Sequence, residues 1–274
     1  MRLAISNIAW DICEDEAVAA LLQQFAVDAI DIAPGKYFPE PTKATGEDIV
    51  QVKAWWAERG VEITGMQALL FGTTGLNIFG GAQSRADLLT HLAAICRIGA
   101  GLGGTRIVFG SPKNRDRSGL NDQEALDIAI PFFRELGGLA QACGVTFCLE
   151  PNPACYGANF MTTSVETAGV VRAVAHPSIR MQFDTGALAI NREDPLEVLK
   201  DFAQLIGHVH ASEPDLLPLG DGGTDHVAIA AALGRYLPAH LVSIEMVATG
   251  SEPHLASIKR AIQVATLRYR GVSV

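Results

Sequence analysis

The sequence predicts a closed α/β barrel of eight strand–helix units, a (β/α)8 TIM barrel, and three observations carry that expectation. Short apolar runs with strand character alternate with longer helical stretches, and eight such pairs follow one another along the chain. The 274 residues match the roughly 250 that one such barrel needs, so residues 1–274 are read as a single domain. Finally, four consecutive strand-like runs, Val145–Glu150, Ile179–Asp184, Leu205–His210 and Leu241–Glu245, each stop on a side chain able to ligate a metal.

Taken in order, the earlier strands fall at Leu3–Ile8, Val27–Ile32, Val61–Gln67 and Thr105–Phe109. Helices are expected near Glu14–Phe25, Glu47–Arg59, Ser84–Leu102, Asp122–Cys143, Thr163–Ala175, Pro195–Phe202, Asp225–Tyr236 and Glu252–Arg268. Gly60, Gly103-Gly104 and Gly144 follow helical stretches, where a left-handed residue closes the last turn. Thr163 with Glu166 matches a capping box, and Ser84, Asp122 and Asp194-Pro195 are acceptable helix starts. A nucleotide-binding sheet would also alternate, but no GxGxxG follows the first strand, which opens into Ala9-Trp10-Asp11, and there is no Walker A loop. The long connections 34–46, 68–83, 110–121, 151–162 and 211–224 all follow strands, the side on which a barrel builds its active site. Their aromatics, Tyr37, Phe38, Phe71, Phe79, Tyr156 and Phe160, either stack on a ligand or pack the loops together.

Composition narrows the function classes. Hydrophobic residues make up 49% and charged residues 19%, enough for one large core. No segment approaches the roughly 18 apolar residues of a membrane span, and the amino terminus runs straight into a strand, so neither a membrane partner nor a secretory signal is expected. A net charge of −9 and a pI near 5.2 argue against nucleic acid. Five cysteines without CxxC spacing disfavour disulfides and a zinc ribbon and favour a reducing cytoplasm. Cys148 reads as a small buried filler.

Within the strands, polar and apolar side chains alternate. Val145, Phe147 and Leu149 oppose Thr146, Cys148 and Glu150; Ile179, Met181 and Phe183 oppose Arg180, Gln182 and Asp184; Val242 and Ile244 oppose Ser243 and Glu245. The terminal residue always shares the polar parity, and the intervals of 34, 26 and 35 residues are each close to one strand plus one crossover helix, about 30 residues. Glu150, Asp184, His210 and Glu245 should therefore meet at one end of half the barrel and leave the other half for substrate. Three carboxylates and one imidazole suit one divalent ion, Mn2+ first, with Mg2+, Co2+ or Zn2+ as alternatives. His208 should point inward one layer deeper. In this geometry a metal stabilises the enediolate formed when a base removes the proton alpha to a carbonyl, with Glu150 and Glu245 as base and acid. Return of the proton to the opposite face gives epimerisation; transfer along one side gives aldose–ketose isomerisation.

At this point the chain resembles the sugar isomerase/epimerase superfamily of xylose isomerase-like barrels, which includes ketohexose 3-epimerases and hydroxypyruvate isomerase. The motifs are Leu149-Glu150-Pro151, Phe183-Asp184-Thr185-Gly186, His208-Val209-His210, Gly220-Asp221-Gly222 with Thr224-Asp225-His226, and Ser243-Ile244-Glu245. The resemblance implies that Glu150, Asp184, His210 and Glu245 hold the metal and that the two glutamates double as acid and base. The epimerase pattern has a histidine three residues after the metal aspartate and an arginine in the loop after the metal histidine; here those places hold Ala187 and Leu216. Free ketohexoses are accordingly expected to be weak substrates.

Candidate contacts for a small carbohydrate, sugar phosphate or keto-acid are Trp10, Gln67, Phe71, Lys113, Asn152, Tyr156, Asn159 and His208. Trp10 is a stacking platform or a barrel plug; turn chemistry explains Asn152 and Asn159 as well as a polyol does. Lys113 and Arg115 bind a phosphate or carboxylate or are solvated loop charges. An abasic-site endonuclease on the same fold would show histidines at earlier strand ends, which are missing. An inosose-type dehydratase sharing the metal site, or a barrel that binds sugar or metal without catalysis, stays open, as does assembly into a homo-oligomer.

Overall fold

Side chains along a barrel strand alternate between a central lumen and the surrounding helices, so both parities can be buried while meeting different chemistry. The computed structural model describes residues 1–271. It contains β1 (Leu3–Ser6), β2 (Ala29–Ile32), β3 (Glu62–Met66), β4 (Arg106–Phe109), β5 (Thr146–Leu149), β6 (Ile179–Asp184), β7 (Ile206–Ser212) and β8 (Val242–Glu245). These strands close into one parallel barrel in chain order, with β8 returning to β1. Around it lie α1 (Asp15–Gln24), α2 (Pro34–Tyr37), α3 (Gly46–Ala57), α4 (Ala82–Leu102), α5 (Asp122–Ala142), α6 (Ser164–Val174), α7 (Thr185–Asn191), α8 (Pro195–Phe202), α9 (His226–Tyr236) and α10 (His254–Ala265).

The polar parity forms the lumen. Ser6, Asp31 and Gly65 pair laterally across β1, β2 and β3, and Gln182 with His208 and Asp184 with His210 across β6 and β7. The apolar parity packs against helices; Phe109, for example, meets Phe133 of α5 edge-on at 5.7 Å between ring centroids. Cys148 is fully buried and burial pushes its thiol up to about 12, in keeping with a filler. No helix among the described residues is long and apolar enough to cross a membrane.

Local signals account for most boundaries. Gly60, Gly103 and Gly144 take the left-handed φ of +72°, +93° and +70° that ends their helices. Thr163 caps α6 through Glu166 N, but Glu166 reaches back to Thr162 N rather than to Thr163, so the capping box forms by half. The first strand stops at Ser6, whose hydroxyl accepts from Ile8 N and starts a short 3-10 turn over Asn7–Ala9. α4 begins two residues earlier than expected, because Ser84 is spent bracing the preceding loop through Asn77 N and Gly75 O. Two short helices, α2 and α7, sit inside stretches read as loop or connection; α7 is started by Asp184 itself, whose Oδ1 accepts from Ala187 N at 2.7 Å.

One irregularity positions the site. The β2–β3 register runs Ile30↔Ile63 and then Asp31↔Gly65, so Thr64 is an extra residue on β3. This bulge reverses the parity of the residues after it and turns Gly65 and Gln67 into the lumen. Gly65 must then sit beside Asp31: a Cβ there would lie 2.5 Å from Asp31 Oδ1 and 2.9 Å from the Arg106 carbonyl. Gly65→Ala is expected to lower stability by about 1–3 kcal/mol. Gly138→Ala, on α5 with nothing within 4 Å of the new methyl, should leave stability unchanged or raise it. Urea unfolding midpoints of the two variants check the contrast.

Candidate metal centre

Each of the four strand-end side chains is delivered by a different local device. Glu150 follows the last residue of β5, where Pro151 removes the next ladder donor. Asp184 is both the end of β6 and the cap of α7, and its second oxygen accepts from Ser212 Oγ at 2.7 Å. His210 lies within β7, fully buried, and Glu245 ends β8. One ligand atom from each of the four falls within 4.8 Å of the others. His210 Nδ1 stands 3.3 Å from Glu245 Oε2 and 3.6 Å from Glu150 Oε1. The remaining oxygen of each glutamate is taken by an amide: Asn152 Nδ2 donates to Glu150 Oε2 at 3.0 Å, and Gln67 Nε2 to Glu245 Oε1 at 2.8 Å.

These residues fit a cation. Among the described residues, His210 Nδ1 and Glu150 Oε1 are buried polar atoms without a hydrogen-bond partner, and both face the centre of the cluster. Burial, reinforced by the charges of Glu245 and Glu150, pushes the Asp184 carboxyl up to about 8. Burial opposes a charge on His210, yet Glu245 and Glu150 outweigh it and hold its proton well above the usual imidazole range. Protons held by Asp184 and His210 thus sit where a divalent ion would supply positive charge. Oxygen donors with one imidazole suit a hard or borderline ion.

The structure redistributes the other candidates. Gln67 and Asn152 belong to the cluster as partners of the glutamates. His208 does not reach the mouth: it is 3% exposed, and its Nε2 is 2.7 Å from Asp31 Oδ2, beneath His210. Trp10 is a core residue rather than a stacking platform, fully buried, donating to Asp15 Oδ1 and packed edge-on against Trp56. Phe71 stands 92% exposed on the loop after β3, without the burial of a stacking wall. Tyr156 is at the mouth, but its hydroxyl accepts from Asp215 N and ties the β5 loop to the β7 loop. Asn159 is consumed by Asp116 and Arg117 in a loop-to-loop bridge. Lys113 is exposed, whereas Arg115 is fully buried and donates to the Glu150 and Gly110 carbonyls, so that pair offers no double cation to an anionic substrate.

Sequence reasoning missed Asp31, Gly110 and Glu213. A carboxylate inside the apolar run Ala29-Ile30-Asp31-Ile32 was the available signal for the first. At Gly110 a Cβ would lie 2.0 Å from Glu150 Oε2, so the residue that follows β4 is a glycine, which leaves room for that carboxylate. Glu213 explains the Gly220–His226 motif: it accepts from Gly220 N, Thr224 N and His226 Nε2, while His226 Nδ1 meets Tyr269 Oη at 2.6 Å. Burial works against its charge, but these partners prevail and hold it down at about 2. The motif braces the β7 loop and adds no ligand to the cluster.

A family model described as xylose isomerase-like TIM barrel matches residues 19–266. The chain belongs to that family. The sequence is 29% identical over 105 residues to D-psicose 3-epimerase of Ruminiclostridium cellulolyticum, a stretch covering 38% of this chain and 36% of that protein. The chain therefore aligns with little more than a third of that relative. The fold superposes on D-psicose 3-epimerase with D-tagatose from Clostridium cellulolyticum H10 with a TM-score of 0.82 and 18% identity, covering 98% of this chain and 99% of the other. It also superposes on the IOLI protein with a binding zinc atom, with a TM-score of 0.78 and 17% identity over all of both chains. At these identities the structural likeness establishes the xylose isomerase-like fold.

Proton occupancy of the cluster yields a pH prediction. Asp184 and His210 both hold their protons more tightly in the folded than in the unfolded chain, so without a cation the cluster's contribution to stability falls as pH rises through about 8. A divalent ion displaces those protons and cancels the loss. The rise in Tm on adding Mn2+ should be larger near pH 8 than near pH 6, and calorimetry in buffers of different ionisation enthalpy should show proton release on binding.

Proposed function

We propose that the protein is a divalent-metal-dependent isomerase or epimerase of a small carbohydrate, sugar phosphate or related keto-compound, with Glu150 and Glu245 as its base and acid. The observation that carries this reading is the matched setting of the two glutamates. Each turns one oxygen toward His210 and gives the other to a side-chain amide. Carboxylates held alike on two sides of one centre suit removal of a proton alpha to a carbonyl by the ionised one, which keeps it, and donation of a second proton to the opposite face of the resulting enediolate by the protonated other. Run backward, the same pair exchanges roles. Lewis-acid polarisation of the carbonyl is the chemistry that a divalent ion bound by Glu150, Asp184, His210 and Glu245 supplies, with Mn2+ the first choice. Similarity to a D-psicose 3-epimerase supports the reaction class. Five free thiols support a reducing cytoplasm as the setting.

Asn152 and Gln67 act in this scheme by fixing which oxygen of each glutamate faces the centre. Glu150→Gln and Glu245→Gln should each abolish turnover, because an amide can neither take nor return the proton. In heavy water the parent enzyme should wash deuterium into the substrate carbon alpha to the carbonyl, as read by proton NMR. Hydride transfer without solvent exchange would overturn the two-base mechanism, and a product that has lost water would reassign the enzyme as a dehydratase.

Specificity follows from two apolar side chains. Ala187 is buried at the start of α7, and Leu216, on the β7 loop, uses its carbonyl to accept from Val247 N. Neither offers a sugar a donor. Loss of a charge-assisted hydrogen bond weakens recognition by about 1.5–3 kcal/mol, or roughly ten- to a hundredfold. Free fructose, tagatose and psicose should therefore be turned over with lower kcat/KM than smaller, phosphorylated or acidic keto-compounds, among which the burial of Arg115 favours the smaller. A free ketohexose ranking first in a steady-state panel would refute this assignment.

A further inference from the structure

Below the four strand ends lies a second, sealed layer of the lumen that the proposed reaction does not use. Asp31 of β2 is 1% exposed and His208 of β7 is 3% exposed. Asp31 Oδ1 lies 3.1 Å from the hydroxyl of Thr64, the residue inserted by the β3 bulge, and Asp31 Oδ2 pairs with His208 Nε2. The same Oδ2 is 3.9 Å from His210 Nε2, the ring nitrogen that points away from the glutamates; at that distance Asp31 acts on it through charge rather than a hydrogen bond, and Nε2 is, among the described residues, a buried nitrogen without a hydrogen-bond partner. His210 is thus set between two anionic groups, the glutamates on its Nδ1 side and Asp31 on its Nε2 side.

A neutral imidazole carries one proton, and only the other nitrogen has a lone pair for a cation. A proton on Nδ1 would occupy the position that faces Glu150 and Glu245. A proton on Nε2 faces Asp31 and leaves Nδ1 bare. Carboxylates opposite a ligating histidine commonly fix its tautomer by accepting that proton; here the Asp31 charge, 3.9 Å away, favours the same tautomer. We propose that Asp31 is a positioning residue: its carboxylate, held in place by Thr64 and His208, keeps the His210 proton on Nε2 and so presents Nδ1 to a divalent ion among Glu150, Asp184 and Glu245. The glycine at position 65 and the bulge before it are what allow the carboxylate to stand there.

This inference rests on the four-residue site and can fail separately from it. The alternative for Asp31, His208 and His210 is a second cation, since their ligand atoms also lie within 4.8 Å of one another. The test compares the parent chain with Asp31→Asn, which keeps size but loses charge, and with His208→Gln, which still offers Asp31 a donor. Mn2+ affinity and stoichiometry are read by competition with a chelating dye, and the His210 tautomer by nitrogen-15 NMR of the Zn2+-loaded protein. One ion per chain is expected, with the proton on Nε2. Asp31→Asn should weaken Mn2+ binding by roughly ten- to a hundredfold, while His208→Gln stays close to the parent. A proton on Nδ1 in the parent spectrum overturns the proposal whether or not the variants fold. So does parent-like affinity in Asp31→Asn, an equal loss in a folded His208→Gln, or a second ion that Asp31→Asn displaces. A parent chain that binds no Mn2+ overturns the four-residue site itself, and this inference with it.

Discussion

Three carboxylates and an imidazole are forced together at one end of the lumen, and the surrounding structure is arranged to tolerate that concentration of like charge. Desolvation and mutual repulsion both disfavour three ionised carboxyls within a few ångströms. The closed barrel makes the proximity unavoidable, because laterally bonded strands cannot separate to relieve it. Relief comes from donors placed around the rim: the amides of Gln67 and Asn152, the hydroxyl of Ser212 and the backbone N–H of Ala187. What remains unbalanced is directed at a single point, which is the electrostatic definition of a cation site.

Much of this was legible in the sequence because barrel strands carry a simple code. Alternation marks the lumen face, and the interval of one β/α unit marks the common end, so Glu150, Asp184, His210 and Glu245 could be assembled from residue order alone. The rest depended on departures from that code. The Thr64 bulge shifts the face on which Gln67 emerges, and nothing in the composition of Val61–Gln67 announces it. Gly110 matters for the side chain it lacks, and its value appears only once Glu150 is placed beside it.

Polar residues in loops were the hardest to read, for a physical reason. An asparagine, arginine or tyrosine on a long connection has the same appearance whether it faces a substrate or satisfies the loop's own backbone. Here Asn159, Arg115 and Tyr156 do the latter. Trp10 illustrates the same ambiguity for aromatics, since its indole N–H finds Asp15 inside the core. The loops are thereby stiffened by their own polar groups, while Gln67 and Asn152 turn theirs to the carboxylates at the strand ends.

The brace from Glu213 through His226 to Tyr269 has a bearing on biosynthesis. Glu245 and Tyr269 are among the last of these residues to leave the ribosome, whereas Asp31 and Gln67 emerge early and must wait for partners far downstream: Gln67 and Glu245 are separated by 178 residues. A nascent chain that has exposed Glu150, Asp184 and His210 still has neither its eighth strand nor the tether on its β7 loop. In the proposed metal centre, selective ion capture would therefore follow the synthesis of β8 and of Tyr269. The ion that the proposed centre took up would then be governed by the free metal pool that the folded chain encounters, more than by intrinsic ligand preference.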